Sequence, residues 1–393
     1  MLSVYIVLLD AVFTRPYFFD SKPWISALVT CKSKVPQDYG NPVKWGEPGF
    51  ASFILAICCL SSRHIDDPRV RSEGTDSCSV GSQWFDLYSR LRTLPTADRP
   101  TLYTVQSVLV AAVYAVGLGK LSKAFALLSE AVTLSFDAGL HRSVEAYDCF
   151  DPVEYEIRKR TFWCVYMWDK QAGAAFGRPP LLRLRDCDVP EPAVVDDEFI
   201  TAEGVSQQPV GTPSRMGAFV ATVRYYVVLE SVLDLPPSLN ASSSPFLARV
   251  SKVLSGFRRN TDMREEEMIL DELRRNLPQH WARTPETLVS DDVIRVTQTV
   301  RLHCLERFVV LLIYRHRFSN YVAQRTLRNR DAEPISEEKD ALQACFTCAR
   351  EIVAAYLHTA TKGLMTYCMF RSMYTSQGLI FSLLQMASML FTS

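Results

Sequence analysis

An all-α fold, a large irregular multi-helix bundle with no regular sheet, is predicted from three observations. Apolar residues recur at helical three-and-four spacing in one segment after another, whereas the alternation of a strand is scarce. Gly, Pro and short polar runs punctuate those segments where helices would start and stop. No internal repeat of fixed period connects them, which disfavours a solenoid.

Taken in order, "FASFILAICCLS" (50–61) is apolar almost all round and predicts a buried helix. The run 72–82 is a loop by composition, "WFDLYSRL" (84–91) restarts a helix, and Pro95 with Pro100 mark the next break. Residues 101–116 predict a helix buried on most sides, ended at Gly117 and Gly119. In the helix that follows, Ala124, Ala131 and Ala138 form a small-residue stripe among Leu127, Leu128, Leu134 and Phe136, and Gly139 closes it. Such a stripe lets a neighbour approach closely, so these two helices should pack antiparallel.

Asp151, Pro152 and Glu154 supply an N-cap, a first-position proline and a capping-box acid, which opens a helix running from 152 to about 174. Ile157, Thr161, Cys164, Val165 and Trp168 share one face, and Phe162, Trp163 and Tyr166 widen the apolar arc. Aromatics spread around a helix make core filling rather than a platform for stacking bases. Of Arg158, Lys159 and Arg160, at least two are expected to reach solvent. Polar, Pro-containing linkers at 189–217 and 234–246 follow. Helices are predicted over 217–233, 264–276 and 292–318, near 337–358 and over 364–391, with loops at 72–83, 186–216, 234–246 and 326–336.

Composition narrows the function classes. Lys and Arg number 43 and Asp and Glu number 43, a net charge of zero. A surface that grips phosphates displaces counterions with excess Lys and Arg, and this chain has no such excess. Hydrophobic residues at 48% and charged residues at 22% are ordinary for a soluble globular protein. The 11 cysteines are odd in number and set in apolar runs, which suits buried thiols in a reducing compartment. "MLSVYIVLLD" lacks a basic start and is interrupted by Asp10, and "GLIFSLLQMASMLF" is too short to span a bilayer, so no membrane role is expected.

The motifs that carry chemistry are weak. Cys345 and Cys348 are a lone Cys-x-x-Cys in a helical pattern, short of the four ligands of a structural zinc, and read as buried thiols. "GLGK" (117–120) has Tyr114 where a phosphate loop needs Gly and Leu121 where it needs Ser or Thr, so it is a turn. Asp186 and Asp188, beside Arg183 and Arg185, fit a loop packed back on the domain better than a metal site. His141, beside Arg142, and His303, beside Cys304, are expected to be satisfied or at the surface. Asn240 heads a formal glycosylation sequon, without meaning in an intracellular chain. Asp169 follows Trp168 on a buried stretch and needs a partner; Arg178 is expected to fold back as a structural ion pair, with ligand sensing as the alternative. The candidate structural or effector-sensing residues are therefore Trp168, Asp169, Arg178, His141 and Arg142; no catalytic or metal-ligating set is assigned.

Several stretches together resemble a known family: "LAICCLSSRHIDDPRV" (55–70), "KLSKAFALLSEAVTLSFDAGLHRS" (120–143), "EIRKRTFWCVYMWDKQAGAAFGRPPLLRLRDCDVPEP" (156–192), "LPQHW" and "LHCLERFVVLLIYRHRF". Their order over residues 45–320 is similar to that of the regulatory middle domain of fungal zinc-cluster transcription factors, of the xylanolytic transcriptional activator type. The resemblance implies an all-helical, non-enzymatic regulator of transcription in a fungal nucleus. Its partners would be transcriptional co-regulators or a family dimer partner, with a small-molecule effector between helices. Relatives place a six-cysteine zinc cluster ahead of this domain, and no Cys-x2-Cys-x6-Cys occurs here. Zinc is thus expected only in that missing region of relatives, with no cofactor in this chain, and DNA only through an absent domain. The expected organisation is an N-terminal segment (1–44), a regulatory domain (45–320) and C-terminal helices packed on it (321–393). The alternative is a helical metal-dependent enzyme, terpenoid-synthase-like, using Asp66 with Asp67 and Asp196 with Asp197.

Overall fold

The structure, a computed structural model, describes residues 38, 41–63, 80–143, 145, 150–234, 263–328 and 335–361. The expectations for the 1–37 segment, Asp66 and Asp67, the 235–246 linker with Asn240, and a helix over 364–391 lie outside the described residues. So do 64–70 of the first matching stretch and most of the loops at 72–83 and 326–336.

Among the described residues, a short helix α1 (Pro42–Trp45) leads into α2 (Pro48–Ser62) and α3 (Ser82–Leu91). In α2, 13 of the 15 residues are buried, as its all-round apolar sequence requires. Next come α4 (Leu102–Gly117), capped by the Thr101 side chain, and α5 (Leu121–Asp137). They are the expected packed pair. Gly119 at φ +73 makes the turn, and Ala124 and Ala131 are 1% and 0% exposed. Helix α6 (Pro152–Phe176) begins where the sequence places it: Asp151 accepts from the Glu154 amide at 2.7 Å, and Pro152 occupies the first turn.

Beyond α6 the chain runs through 3-10 turns at Leu184–Asp186 and Asp197–Phe199 to a minimal antiparallel ladder. Its strands, β1 (Ile200–Thr201) and β2 (Gly204–Val205), pair Ile200 with Val205. That ladder is the small exception to a sheetless fold. The helices resume as α7 (Met216–Leu233), α8 (Arg264–Asn276), α9 (Pro285–Val289), α10 (Val293–Arg328) and α11 (Ser336–Thr361). The expected loop at 326–336 therefore begins later, because α10 continues to Arg328. It packs against both α7 and α11.

One core joins α2 through α8 and the middle of α10, and a smaller cluster of Val296, Val300, Cys304, Ile352 and Ala355 welds α10 to α11. Each fully buried large aliphatic or aromatic side chain contributes about 1.5–3 kcal/mol. The stability of the bundle therefore rests on these seams and not on helix propensity alone. α7 is long and apolar enough to cross a bilayer by length and composition, but half of that window is buried inside the fold. It lies between α6, α8 and α10 as a core helix.

Two expectations about α6 need correction. None of its three basic residues is a solvated side chain. Arg158 donates to the Ala138 carbonyl at 2.7 Å and lies over the Phe150 ring, Lys159 pairs with Glu156 at 2.6 Å, and Arg160 is only 1% exposed. The reason is that the N-terminal half of α6 faces the α5 exit and acidic side chains, not water. Trp168 is only half-buried at the rim of the core, whereas Phe162, Trp163 and Tyr166 fill its centre. Helix α6 is enclosed most completely over residues 161–167, all of which are buried.

Candidate functional site: helix α6 and its returning strap

The segment of Asp186 and Asp188 is the expected loop packed back on the domain, and the linker expected from 189 begins as part of it. Gly177, in the left-handed region at φ +66, ends α6 with its amide on the Gly173 carbonyl, and the chain then runs back along the helix it has left. We call 177–197 the strap. As its numbering rises from 181 to 193, the α6 positions that hold it fall from 169 to 156.

The first tie is buried and charged. Asp169 is 3% exposed and accepts the Leu181 amide at 2.9 Å and the Leu182 amide at 3.0 Å. Lys170, 0% exposed, lies 3.1 Å from Asp169 Oδ2 and 3.1 Å from Glu230 Oε2 on α7, and donates to the Leu182 carbonyl. Glu230 also accepts the Tyr166 hydroxyl at 2.7 Å and the Leu184 amide at 3.0 Å. Burial first, then the carboxylates of Glu230 and Asp169, push the Tyr166 phenol well above its ordinary range, so it stays a donor. One ammonium against two carboxylates would leave a buried charge; the backbone amides and the phenol disperse it.

Further ties follow at the middle and the start of α6. Trp163 Nε1 donates to the Pro190 carbonyl at 2.9 Å. Glu191 takes both Arg224 Nε and Nη2 at 2.9 and 2.7 Å, a bidentate clamp to α7. Glu156, 1% exposed, accepts the Ala193 amide at 2.8 Å, and Arg160 reaches Asp197 at 2.5 Å while lying 3.3 Å from Glu156. Asp196 accepts from Ser214 Oγ, the Arg215 amide and Gln208 Nε2 at 2.9–3.1 Å, which fixes the entry to α7.

The candidate residues fall around this unit, though not in the expected pairing. Asp169 is held by Lys170 and strap amides, not by Arg178. The Arg178 guanidinium is exposed and lies 3.9 Å over the Phe125 ring of α5, whose edge meets Phe176. The turn does fold back, but what it delivers to Asp169 is backbone. Gly173 makes that approach possible: an added Cβ would stand 3.0 Å from the Arg178 carbonyl oxygen and from Pro180 Cγ.

His141 and Arg142 meet the strap at Asp188. The Asp188 amide donates to the His141 carbonyl at 3.2 Å, its carboxylate accepts the Ser143 amide at 2.8 Å, and Arg142 lies 3.8 Å away. The His141 ring stands edge-on to Phe136, and its Nδ1 is buried without a partner. His303 Nε2 is likewise buried without a partner. Both findings correct the expectation of satisfied or surface histidines. Burial, with Arg142 adding to it, lowers the His141 pKa against the opposing pull of Asp188.

The arrangement binds chain to chain. The Lys170 ammonium donates to Asp169 and to the Leu182 carbonyl and pairs with Glu230, and its complete burial leaves no access for a carbonyl substrate. Asp196 and Asp197, one half of the enzyme alternative, are spent on strap and helix contacts. Among the described residues, no three His, Cys, Asp or Glu side chains stand together in a way that could hold a metal ion. Cys345 and Cys348 are free thiols buried between α10 and α11. Glu156, Arg160, Lys170 and Glu230 were missed from the sequence. Lys170 was in view beside Asp169, but Glu230 lies 60 residues further on and nothing local points to it.

Comparison with known proteins covers the same stretch. A family described as "Fungal specific transcription factor domain" matches residues 12–317. An uncharacterised transcriptional regulatory protein of Schizosaccharomyces pombe is 27% identical over 37% of this chain and 23% of its own length. The activatory protein CHA4 of Saccharomyces cerevisiae is 24% identical over 57% of this chain and 33% of its own. An ABC-transporter-regulating transcription factor of Aspergillus fumigatus is 34% identical over 25% of this chain and 11% of its own. The chain thus spans about a third or less of the length of these relatives. No solved structure matches it.

Proposed function

Because this chain belongs to the fungal specific transcription factor domain family, we propose that it acts in the nucleus as a helical regulatory body. In this reading it governs transcription by binding protein partners, either co-regulators or a related dimer partner, while DNA is contacted by a segment other than these residues. The observation that carries the reading is the inward turn of the basic-aromatic stretch. Arg158, Lys159 and Arg160 are engaged on protein acceptors or rings, and Phe162, Trp163 and Tyr166 are 0–3% exposed. Cations and rings committed in this way neither neutralise phosphates nor stack on bases. The zero net charge supports the same conclusion. With the Asp196–Asp197 pair committed to the fold, the enzyme alternative has no support.

Tethering tests it. The chain fused to a heterologous DNA-binding module should change expression of a reporter bearing that module's site, and the purified chain alone should not shift duplex DNA at physiological salt. A fusion without effect on the reporter, together with salt-sensitive DNA binding by the isolated chain, would overturn the reading.

A further inference from the structure

Away from the strap, a second polar cluster lies where α7, α8, the turn after Trp281, α10 and α11 converge. Glu306, 6% exposed, is its centre and accepts Arg274 Nε at 2.5 Å and Arg307 Nη2 at 2.7 Å. Arg274 also pairs with Asp271 at 3.0 Å, and Arg307 Nη1 lies 3.5 Å from Glu351 Oε2. That last contact is an ion pair by distance but lacks hydrogen-bond geometry, since Glu351 Oε2 remains without a donor. Tyr225 of α7, 2% exposed, has its phenol pushed up by burial and by the Glu306 carboxylate. Arg274 and Arg307 are thus matched by carboxylates. Arg283, an exposed side chain, has none among the described residues, and it stands close enough to His303 to oppose protonation of that ring.

What is left over on α10 is the notable part. Thr299 Oγ1, His303 Nε2 and Arg307 Nε are each buried with no hydrogen-bond partner. Four-residue steps put them one turn apart on a single stripe of the helix. A buried polar atom left unpaired costs about 1–3 kcal/mol, so three on one stripe are costly for a seam closed by side chains alone. Arg307 Nε can only donate, and a hydroxyl and a neutral imidazole can donate as well. A donor stripe with an unmatched guanidinium beside it suits an oxyanion. Eight residues at the helical rise span about 12 Å, longer than one ion and suited to a small organic acid.

We propose that this node binds a small organic oxyanion, a carboxylate or a phosphate ester, with Arg283, His303 and Arg307 Nε on its charged end. The proposal stands on the packing of these elements and not on the regulatory reading, so the reporter experiment can fail while this one succeeds. The test is thermal unfolding of the full chain titrated separately with sodium succinate and sodium phosphate, against sodium chloride at matched ionic strength. A ligand that binds only the folded state raises the Tm in a saturable way. At least one of the two anions should do so. R283Q, at an exposed position, should leave the unliganded Tm unchanged and weaken the response about tenfold, as loss of a charge-assisted contact does; H303Q should weaken it too. A response to succinate alone assigns a carboxylate, and one to phosphate alone a phosphate ester. No response beyond chloride, as for a node filled by water only, overturns the proposal. So does a response that R283Q leaves intact, because the anion then binds elsewhere.

Discussion

Lys170 lies between two carboxylates at zero exposure, and what holds it there decides what its loss would do. K170M leaves Asp169 and Glu230 facing each other with their cation gone, and breaking a buried pair in this way costs about 3–5 kcal/mol. Chemical denaturation should show the midpoint falling at constant slope; a loss under 1 kcal/mol would mean that the node is hydrated and loosely held. The ring positions can be ranked in the same way. W163A should cost about 3–5 kcal/mol, since that ring is 3% exposed and donates to Pro190. W168A should cost clearly less, because that residue is only partly buried at the rim of the core. Equal losses would contradict the burial order. His303 adds a pH signature. Burial, then Arg283 and Arg307, push its pKa from 6.5 down to about 4, so folding favours the neutral ring. The unfolded chain then binds the extra proton between these values, and stability falls as pH drops from 6.5 towards 4. H303Q should flatten that part of the Tm-against-pH curve; an unchanged slope would show the ring to be solvated. Local chemistry such as the Asp151 cap and the Gly119 and Gly139 stops could be read from the sequence because each acts on its own neighbours. The Asp169 partner could not. Consecutive helical residues do not ordinarily face each other, which made Arg178 the natural partner, while a carbonyl from the strap and a carboxylate from α7 draw Lys170 inward.

At the scale of elements, the helices followed from apolar spacing because each buries a continuous face. The strap followed only in part: Asp186 and Asp188 among arginines pointed to a loop packed back on the domain, but from 189 on its proline-rich, polar composition is also that of a linker. Its backbone groups are satisfied by side chains of α6 and α7, a relation no single window of sequence contains. Gly173 tests that relation. Ala in place of Gly inside a helix ordinarily stabilises by about 1 kcal/mol, but here the new methyl would stand 3.0 Å from the Arg178 carbonyl oxygen and Pro180. G173A should therefore lower the Tm, and a rise would show that the strap gives way freely at this point.

For the molecule as a whole, basic and acidic residues are equal in number, several of the described ones tie element to element, and the family match extends across both α6 and the strap. The fold class was legible throughout, because helical periodicity is repeated along the whole chain. The cluster around Glu306 was not, because its members come from α8, α10 and α11 and meet only in the packed bundle. The ties between α6 and the strap also bear on how the chain gets there. They join residues 12, 27 and 37 apart in sequence, one loop nested within the next. Closing the widest directly costs about 1 kcal/mol more entropy than closing the narrowest. The economical route therefore zips from the Gly-Arg-Pro bend outward, each closure shortening the search for the next.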